Sequence, residues 1–414
     1  MRLAGLERQA AELYERLLKT DPHDVVAREG LATSLLMLGE RCRAKSLIEE
    51  AFRCGEATPA MSVTLVRLLL DDRANEQAVS TAREHLKRPE LLEGHRRRLL
   101  ALLGKGLERL GQFDDAFAAY SRAAEHERRP FNRQAYREEI DQLIEFFTPE
   151  WFQRCPKSRL QTDQMVFIVG MPRSGSTLTE RILDAHPQVR AIGEHPAMFE
   201  VMKRVKTDLN FVEPWPERVR RLSPDALTRL GEEYLAQIDQ GIDGASPPIL
   251  RLIDKALWNT HALGLIAMIL PRSRVIWARR DPADSCFSCY AESFEPRLAP
   301  YASDLGDLGF VHSEIDRLMR HWQRVLPLPL RLMQYEEMVA NQEEASRSVL
   351  AFLELPWHDD CLRFYSKASP SATPSYEQVR RPVYDSSIGR AARFQMHLAP
   401  LREALAKPDS AASR

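Results

Sequence analysis

The sequence predicts an α/β protein: an open parallel sheet with helices on both faces, preceded by an all-helical superhelix. Three observations carry this. First, apolar runs of β-forming residues recur at 165–169, 189–193, 248–253, 274–278 and 330–333, and helix-forming stretches separate them. That alternation is what parallel βαβ units require. Second, the run at 165–169 breaks into Gly170-Met-Pro-Arg173-Ser-Gly175-Ser-Thr177, a tight loop that opens a helix ended by His186-Pro187. Third, residues 1 to about 125 repeat a helical pattern.

The repeat is read position by position. Gly111-Gln-Phe113-Asp-Asp-Ala116-x3-Tyr120-x2-Ala123 aligns with Gly39-x-Arg41-x2-Ala44-x3-Ile48-x2-Ala51, with small residues where two helices must approach closely. A weaker copy surrounds Arg73, Ala78 and Ala82, and Ala10-x3-Tyr14-x2-Leu17-Leu18-x3-Pro22 matches the second half of a unit whose first helix is missing. The pattern resembles tetratricopeptide repeats of about 34 residues, and suggests that the chain begins mid-array or was trimmed. Such arrays receive peptides in a groove, or serve as dimerisation domains; the sequence leaves both readings, and the homodimer, open. Residues 1–125 are therefore expected to form the repeat domain, 126–160 a helical linker, and 161–405 the α/β domain.

Composition bounds the function. The 414 residues are 44% apolar and 28% charged, which fits a globular chain of two or three domains. A net charge of −1 argues against nucleic acid or a membrane surface as partner, so an anionic ligand must be met by local arginines and lysines. The sequence contains no run of eighteen apolar residues and starts in an amphipathic helix, so neither a membrane span nor a signal peptide is predicted, and a cytoplasmic location is expected. Six scattered cysteines imply no disulfide framework. Cys286-x-x-Cys289 lacks a second Cys/His pair and falls within a predicted helix, so packing is the better reading and no metal is expected.

The loop at Gly170 aims backbone N–H groups and the positive end of a helix at one point, which suits a phosphate or sulfate. Gly170-x4-Gly175-Ser176-Thr177 is the P-loop spacing with its lysine replaced by serine, while a cation stands earlier, at Arg173. Pro172-Arg-Ser-Gly-Ser-Thr177 resembles the 5′-phosphosulfate loop of sulfotransferases, whose donor is 3′-phosphoadenosine 5′-phosphosulfate (PAPS) and which need no metal. Farther on, Arg280 ends a strand and Ser288 follows eight positions later on the next helix. This spacing resembles the family's 3′-phosphate site, where arginine's planar fork suits a phosphate. A pair of surface arginines neutralised by Asp281 and Asp284 is the alternative reading.

The same resemblance assigns the remaining residues. A Gly-Glu at the place of Gly193-Glu194 supplies the general base in protein-tyrosine sulfotransferases, with His195 and His186 as rivals here. Lys255, closing the strand at 248–255, resembles the lysine that neutralises the bridging oxygen. Tyr335 would approach the nucleotide, or pack under the sheet instead. Bacterial sulfotransferases joined to tetratricopeptide repeats carry a Ser-Ile-Gly-Arg like Ser387-Ile-Gly389-Arg390, usually followed by tryptophan, where this chain has Ala391. Gly389 and Arg390 would then close over the 3′-phosphate end. Helical, charged residues 199–247 are expected to cover the acceptor site.

The resemblance thus implies a PAPS-dependent sulfotransferase that releases adenosine 3′,5′-bisphosphate. Arg173, Ser174, Gly175, Ser176, Thr177, Arg280, Ser288, Tyr335, Gly389 and Arg390 would bind the nucleotide, while Glu194, Arg173 and Lys255 would act in transfer. The acceptor hydroxyl would belong to a protein, a peptidyl tyrosine among them, to a carbohydrate or to a small molecule. Two rivals remain: a non-catalytic repeat protein with a degenerate sulfotransferase domain, and a P-loop kinase, which the missing lysine disfavours.

Overall fold

The structure is a computed structural model that describes residues 2–89, 91–208, 213–238, 247–292, 299–366 and 381–406. The loop residues 378–380 of the late basic segment lie outside that range. The chain forms two compact units. One comprises 1–130, 290–304 and 392–398; the other comprises 131–289, 305–391 and 399–414. Among the described residues no helix is long and apolar enough to cross a membrane.

The first unit is helical. Helices Arg2–Thr20, Val25–Met37, Arg41–Arg53, Pro59–Asp71, Asn75–His85, Glu93–Arg109 and Phe113–Glu127 each pack against the next. The aligned positions of the repeat are its core: Ala44, Ile48 and Ala51 are fully buried, as are Ala116 and, nearly so, Tyr120. Glycine permits the closest approach, with the Tyr14 ring against Gly30 and the Tyr120 ring against Gly104. A left-handed residue ends a helix at Gly39, Arg73 and Gly111. After each, the next amide returns to a carbonyl five residues back: Glu40 to Leu35 at 2.8 Å, Ala74 to Leu69 at 2.9 Å, Gln112 to Leu107 at 3.0 Å. Each is a Schellman turn, and Gly55 makes another, with Glu56 returning to Ala51 at 2.9 Å.

The later segments complete this unit. The Tyr290 ring stacks on Phe117 at 5.9 Å and its hydroxyl lies 3.2 Å from Ser121 Oγ. Phe394 meets the edge of Phe113, and His397 stacks on Phe117 at 4.4 Å. No sequence pattern marks these residues as partners of the helices.

The second unit is built on five parallel strands: β1 (Met165–Gly170), β2 (Val189–Gly193), β3 (Arg251–Asp254), β4 (Arg274–Arg279) and β5 (Leu330–Gln334), in the order β2-β3-β1-β4-β5. All five expected strands form. Every residue of central β1 is buried, as a strand covered on both faces demands. Val166 and Ile168 pack with Ile182, Val349 and Leu350, from helices Ser176–Asp184 and Gln342–Phe352. Phe167 points the other way, toward Tyr234 of helix Pro224–Ile238 at 6.0 Å. Because the strands are parallel, the ends at Gly170, Gly193, Asp254, Arg279 and Gln334 share one edge, where open sheets gather ligands.

Candidate active site

The loop after β1 is fixed by sterics. Gly170 has φ of +137°, and a Cβ there would lie 2.3 Å from the Ala278 carbonyl oxygen of the neighbouring strand. Gly175, with φ of +88°, forms the N-cap of helix Ser176–Asp184, and a Cβ there would meet the Tyr335 ring at 2.5 Å. No side chain caps that helix, so its first amides remain directed at the loop. Between the glycines, Arg173 holds a φ of +66°, a conformation costly for a residue with a Cβ and common where strain serves a site.

This strained arginine reaches the second motif. Arg173 Nε donates to Ser288 Oγ at 2.9 Å, across 115 positions of sequence, so the β1 loop and helix Pro282–Ala291 meet over one cleft. The cleft is lined by Arg173, Gly175, Ser176, Thr177, Arg280, Ser288, Tyr335 and Arg390 among others. Ser174 is buried away from it, and Gly389 lies outside the lining. The Arg280 guanidinium stacks 4.7 Å above Tyr335, while its Nε has no hydrogen-bond partner. Tyr335 is 8% exposed: it packs as a core residue and lines the cleft at once.

Asp284 organises the rim. It sits 3.4 Å from Arg280 and accepts the amides of Gly389 and Ala391, both at 2.7 Å, which ties the late Gly-Arg loop to the helix after β4. Arg280 also donates to the Ser387 carbonyl. The neutralising role read for Asp284 is thus present, together with a role in holding the loop that sequence did not suggest. Ala391, at the usual tryptophan position, is itself buried. From the described end of that loop, Arg381 stacks on Tyr384 at 3.6 Å, and both line the cleft. Cys286 and Cys289 are buried and unbridged, their thiols directed to the carbonyls of Leu308 and Pro172 respectively.

The predicted base and lysine are brought together elsewhere along the same edge. Lys255 Nζ lies 2.6 Å from Glu194 Oε1. The lysine is 1% exposed, whereas the glutamate side chain is 38% exposed. Tyr234 and the Ala256 amide donate to the two oxygens of Asp254 at 2.8 and 2.9 Å, fixing the turn that presents Lys255, and burial lifts the Asp254 carboxyl to about 6. A third carboxyl went unnoticed in the sequence: Glu180 Oε2 stands 3.9 Å from Lys255 and accepts no hydrogen bond. Its only advance signal is its place one helical turn past the loop. Burial, opposed by Lys255, lifts it to about 7.

The rival histidines are differently placed. His186 uses both ring nitrogens, with Nε2 at 2.9 Å from the Pro356 carbonyl and Nδ1 accepting the Gln188 amide. His195 Nδ1 accepts the Ala197 amide, and burial lowers its pKa.

Residues 165–359 match the model of the sulfotransferase family. An uncharacterized protein of Aquifex aeolicus is 29% identical over 97% of this chain and 52% of its own length. Protein-tyrosine sulfotransferase of Drosophila melanogaster is 24% identical over 53% of this chain and 45% of its own. The chain therefore spans about half the length of these relatives. Among solved structures, the sulfotransferase domain of the Synechococcus olefin synthase aligns with 58% of this chain and 91% of that one, at 19% identity and a TM-score of 0.39.

Proposed function

We propose, from the match of residues 165–359 to the model of the sulfotransferase family, that the protein transfers the sulfuryl group of PAPS to an acceptor hydroxyl. The observation that carries the reading is the Arg173–Ser288 hydrogen bond, which gathers the phosphosulfate loop and the 3′-phosphate motif at one cleft. A nucleotide with phosphates at both ends needs two anion sites in one groove. The loop amides and Arg173 supply the first, and Arg280, whose Nε is unpartnered, supplies the second with Ser288.

Transfer then proceeds in line. The bond from sulfur to the bridging phosphate oxygen breaks as the acceptor oxygen bonds to sulfur, leaving adenosine 3′,5′-bisphosphate. Glu194 takes the acceptor proton, and Lys255 and Arg173 meet the charge that develops on the leaving and sulfuryl oxygens. Glu194 is favoured as base because its carboxylate is partly exposed while His186 is committed at both nitrogens. An aromatic hydroxyl, such as a peptidyl tyrosine, is the acceptor best supported. Phe199 and Trp258 leave their rings 54% and 38% exposed, on elements that directly follow Glu194 and Lys255 and pack together. The helical unit is read as a tetratricopeptide-like array, supported by its matching turns.

Incubation with sulfur-labelled PAPS and a tyrosine-containing peptide tests this: label should pass to the phenol in wild type and not in Glu194→Gln. Equal labelling of both proteins would remove Glu194 from the reaction.

A further inference from the structure

A base held in an ion pair presents a difficulty, and its resolution rests on the sulfotransfer reading above. With its ammonium 2.6 Å away, the Glu194 carboxylate is occupied by Lys255, and the ammonium is not available to a leaving oxygen. If Lys255 simply left, a cation 1% exposed would lose its counter-ion within the protein, which is strongly unfavourable. Glu180 removes the difficulty. Its Oε2 is already within ion-pair range of Lys255, its side chain is 4% exposed, and that oxygen accepts no hydrogen bond.

We propose that Glu180 is a positioning residue, the standing counter-ion of Lys255, which lets the ammonium leave Glu194 for the donor's bridging oxygen and thereby frees Glu194 to accept the acceptor proton. The groups around it support this arrangement. Helix Ser176–Asp184 contributes Arg181 and Asp184, which stand 3.9 Å apart; β3 is followed by Lys255, and β2 by Glu194. Two cations and three carboxyls therefore share the cluster, so Glu180 is the carboxyl that burial and its two acidic neighbours drive toward the protonated form. Burial and these neighbours raise it to about 7 against the opposing pull of Lys255 and Arg181. Only the ionised form can serve as counter-ion, so transfer should rise with pH as this carboxyl loses its proton.

The test compares wild type, Glu180→Gln and Glu180→Asp in transfer from PAPS to a tyrosine-containing peptide across pH, with adenosine 3′,5′-bisphosphate affinity measured alongside. Glu180 does not line the nucleotide cleft, so affinity should be unchanged in both variants. The Gln variant should lose roughly tenfold to a hundredfold in kcat above about 7, and its profile should lack the wild-type rise, whereas Asp restores the rise in part. A Gln variant that keeps the rise, or keeps full kcat, overturns the proposal. An activity-independent arm separates it from the reaction assigned to the site: the Lys255 side-chain resonance, followed by NMR in lysine-labelled protein, should remain that of an ammonium in Glu194→Gln and titrate at lower pH once Glu180→Gln is added. An unchanged Lys255 titration in the double variant also overturns the proposal. Failure of wild type to bind the bisphosphate or transfer sulfate, with the Lys255 result as expected, would instead overturn sulfotransfer while leaving the counter-ion pair in place.

Discussion

Arg173 gathers the most consequences into one residue. It adopts a backbone conformation that disfavours side chains, and its guanidinium bridges to Ser288. Arg173→Ala should keep the fold while lowering transfer roughly a hundredfold, about 3 kcal/mol of lost charge stabilisation, as read by kcat on a tyrosine peptide. A retained rate would remove Arg173 from the reaction. Glu180 makes a prediction about stability as well. Its carboxyl is raised from 4.5 to about 7 in the fold, so the folded state holds a proton that the unfolded chain has released across that interval. Stability present below about 4.5 is therefore lost as pH rises to about 7, by up to roughly 3 kcal/mol. Glu180→Gln has no such proton to lose, so urea midpoints should shift in the variant's favour with rising pH; a difference independent of pH would contradict the raised carboxyl.

At the scale of elements, turns and caps decide the outcome. Arg73 stands in the left-handed position that Gly39 and Gly111 fill in the matching turns. Arg73→Gly should stabilise the helical unit by about 0.5–1 kcal/mol, visible as a higher melting temperature, because the strain of a Cβ outweighs the entropy that glycine costs. Gly175→Ala should do the reverse, because a Cβ 2.5 Å from the Tyr335 ring must displace the loop, and bisphosphate binding should be lost with it. Asp284→Ala should free the Gly389 and Ala391 amides and weaken bisphosphate binding about tenfold or more, in line with losing two hydrogen bonds to a charged acceptor. All five strands and the glycine-bearing loop after β1 were legible because β-run, glycine turn and helix start are local signals. Glu180 and Asp284 were not legible as site residues. Their roles depend on Lys255 and on residues 389 and 391, distant in sequence, and nothing local distinguishes a carboxylate that faces a buried lysine from one that faces water.

For the molecule as a whole, the helical unit is not a contiguous N-terminal block. It takes in 290–304 and 392–398, whose Tyr290, Phe394 and His397 rest on Phe113, Phe117 and Tyr120. Helical periodicity announced the repeats but carried no sign of these returning segments, since the chain reaches them only after building most of the sheet. Removing residues 1–130 should strip three aromatic groups of partners worth about 0.5–1.5 kcal/mol each, and the remainder should elute as aggregate in size-exclusion chromatography. A monodisperse remainder would contradict that dependence. The proposed sulfotransfer requires one cleft that reads both ends of a bisphosphorylated adenosine. Calorimetric titration of adenosine 3′,5′-bisphosphate into wild type and Arg280→Ala, with AMP and with ATP plus magnesium as controls, addresses it most directly. The expected result is selective binding of the bisphosphate that weakens in the variant; preference for ATP, or no nucleotide binding, would contradict sulfotransfer and favour a kinase or a non-catalytic repeat protein.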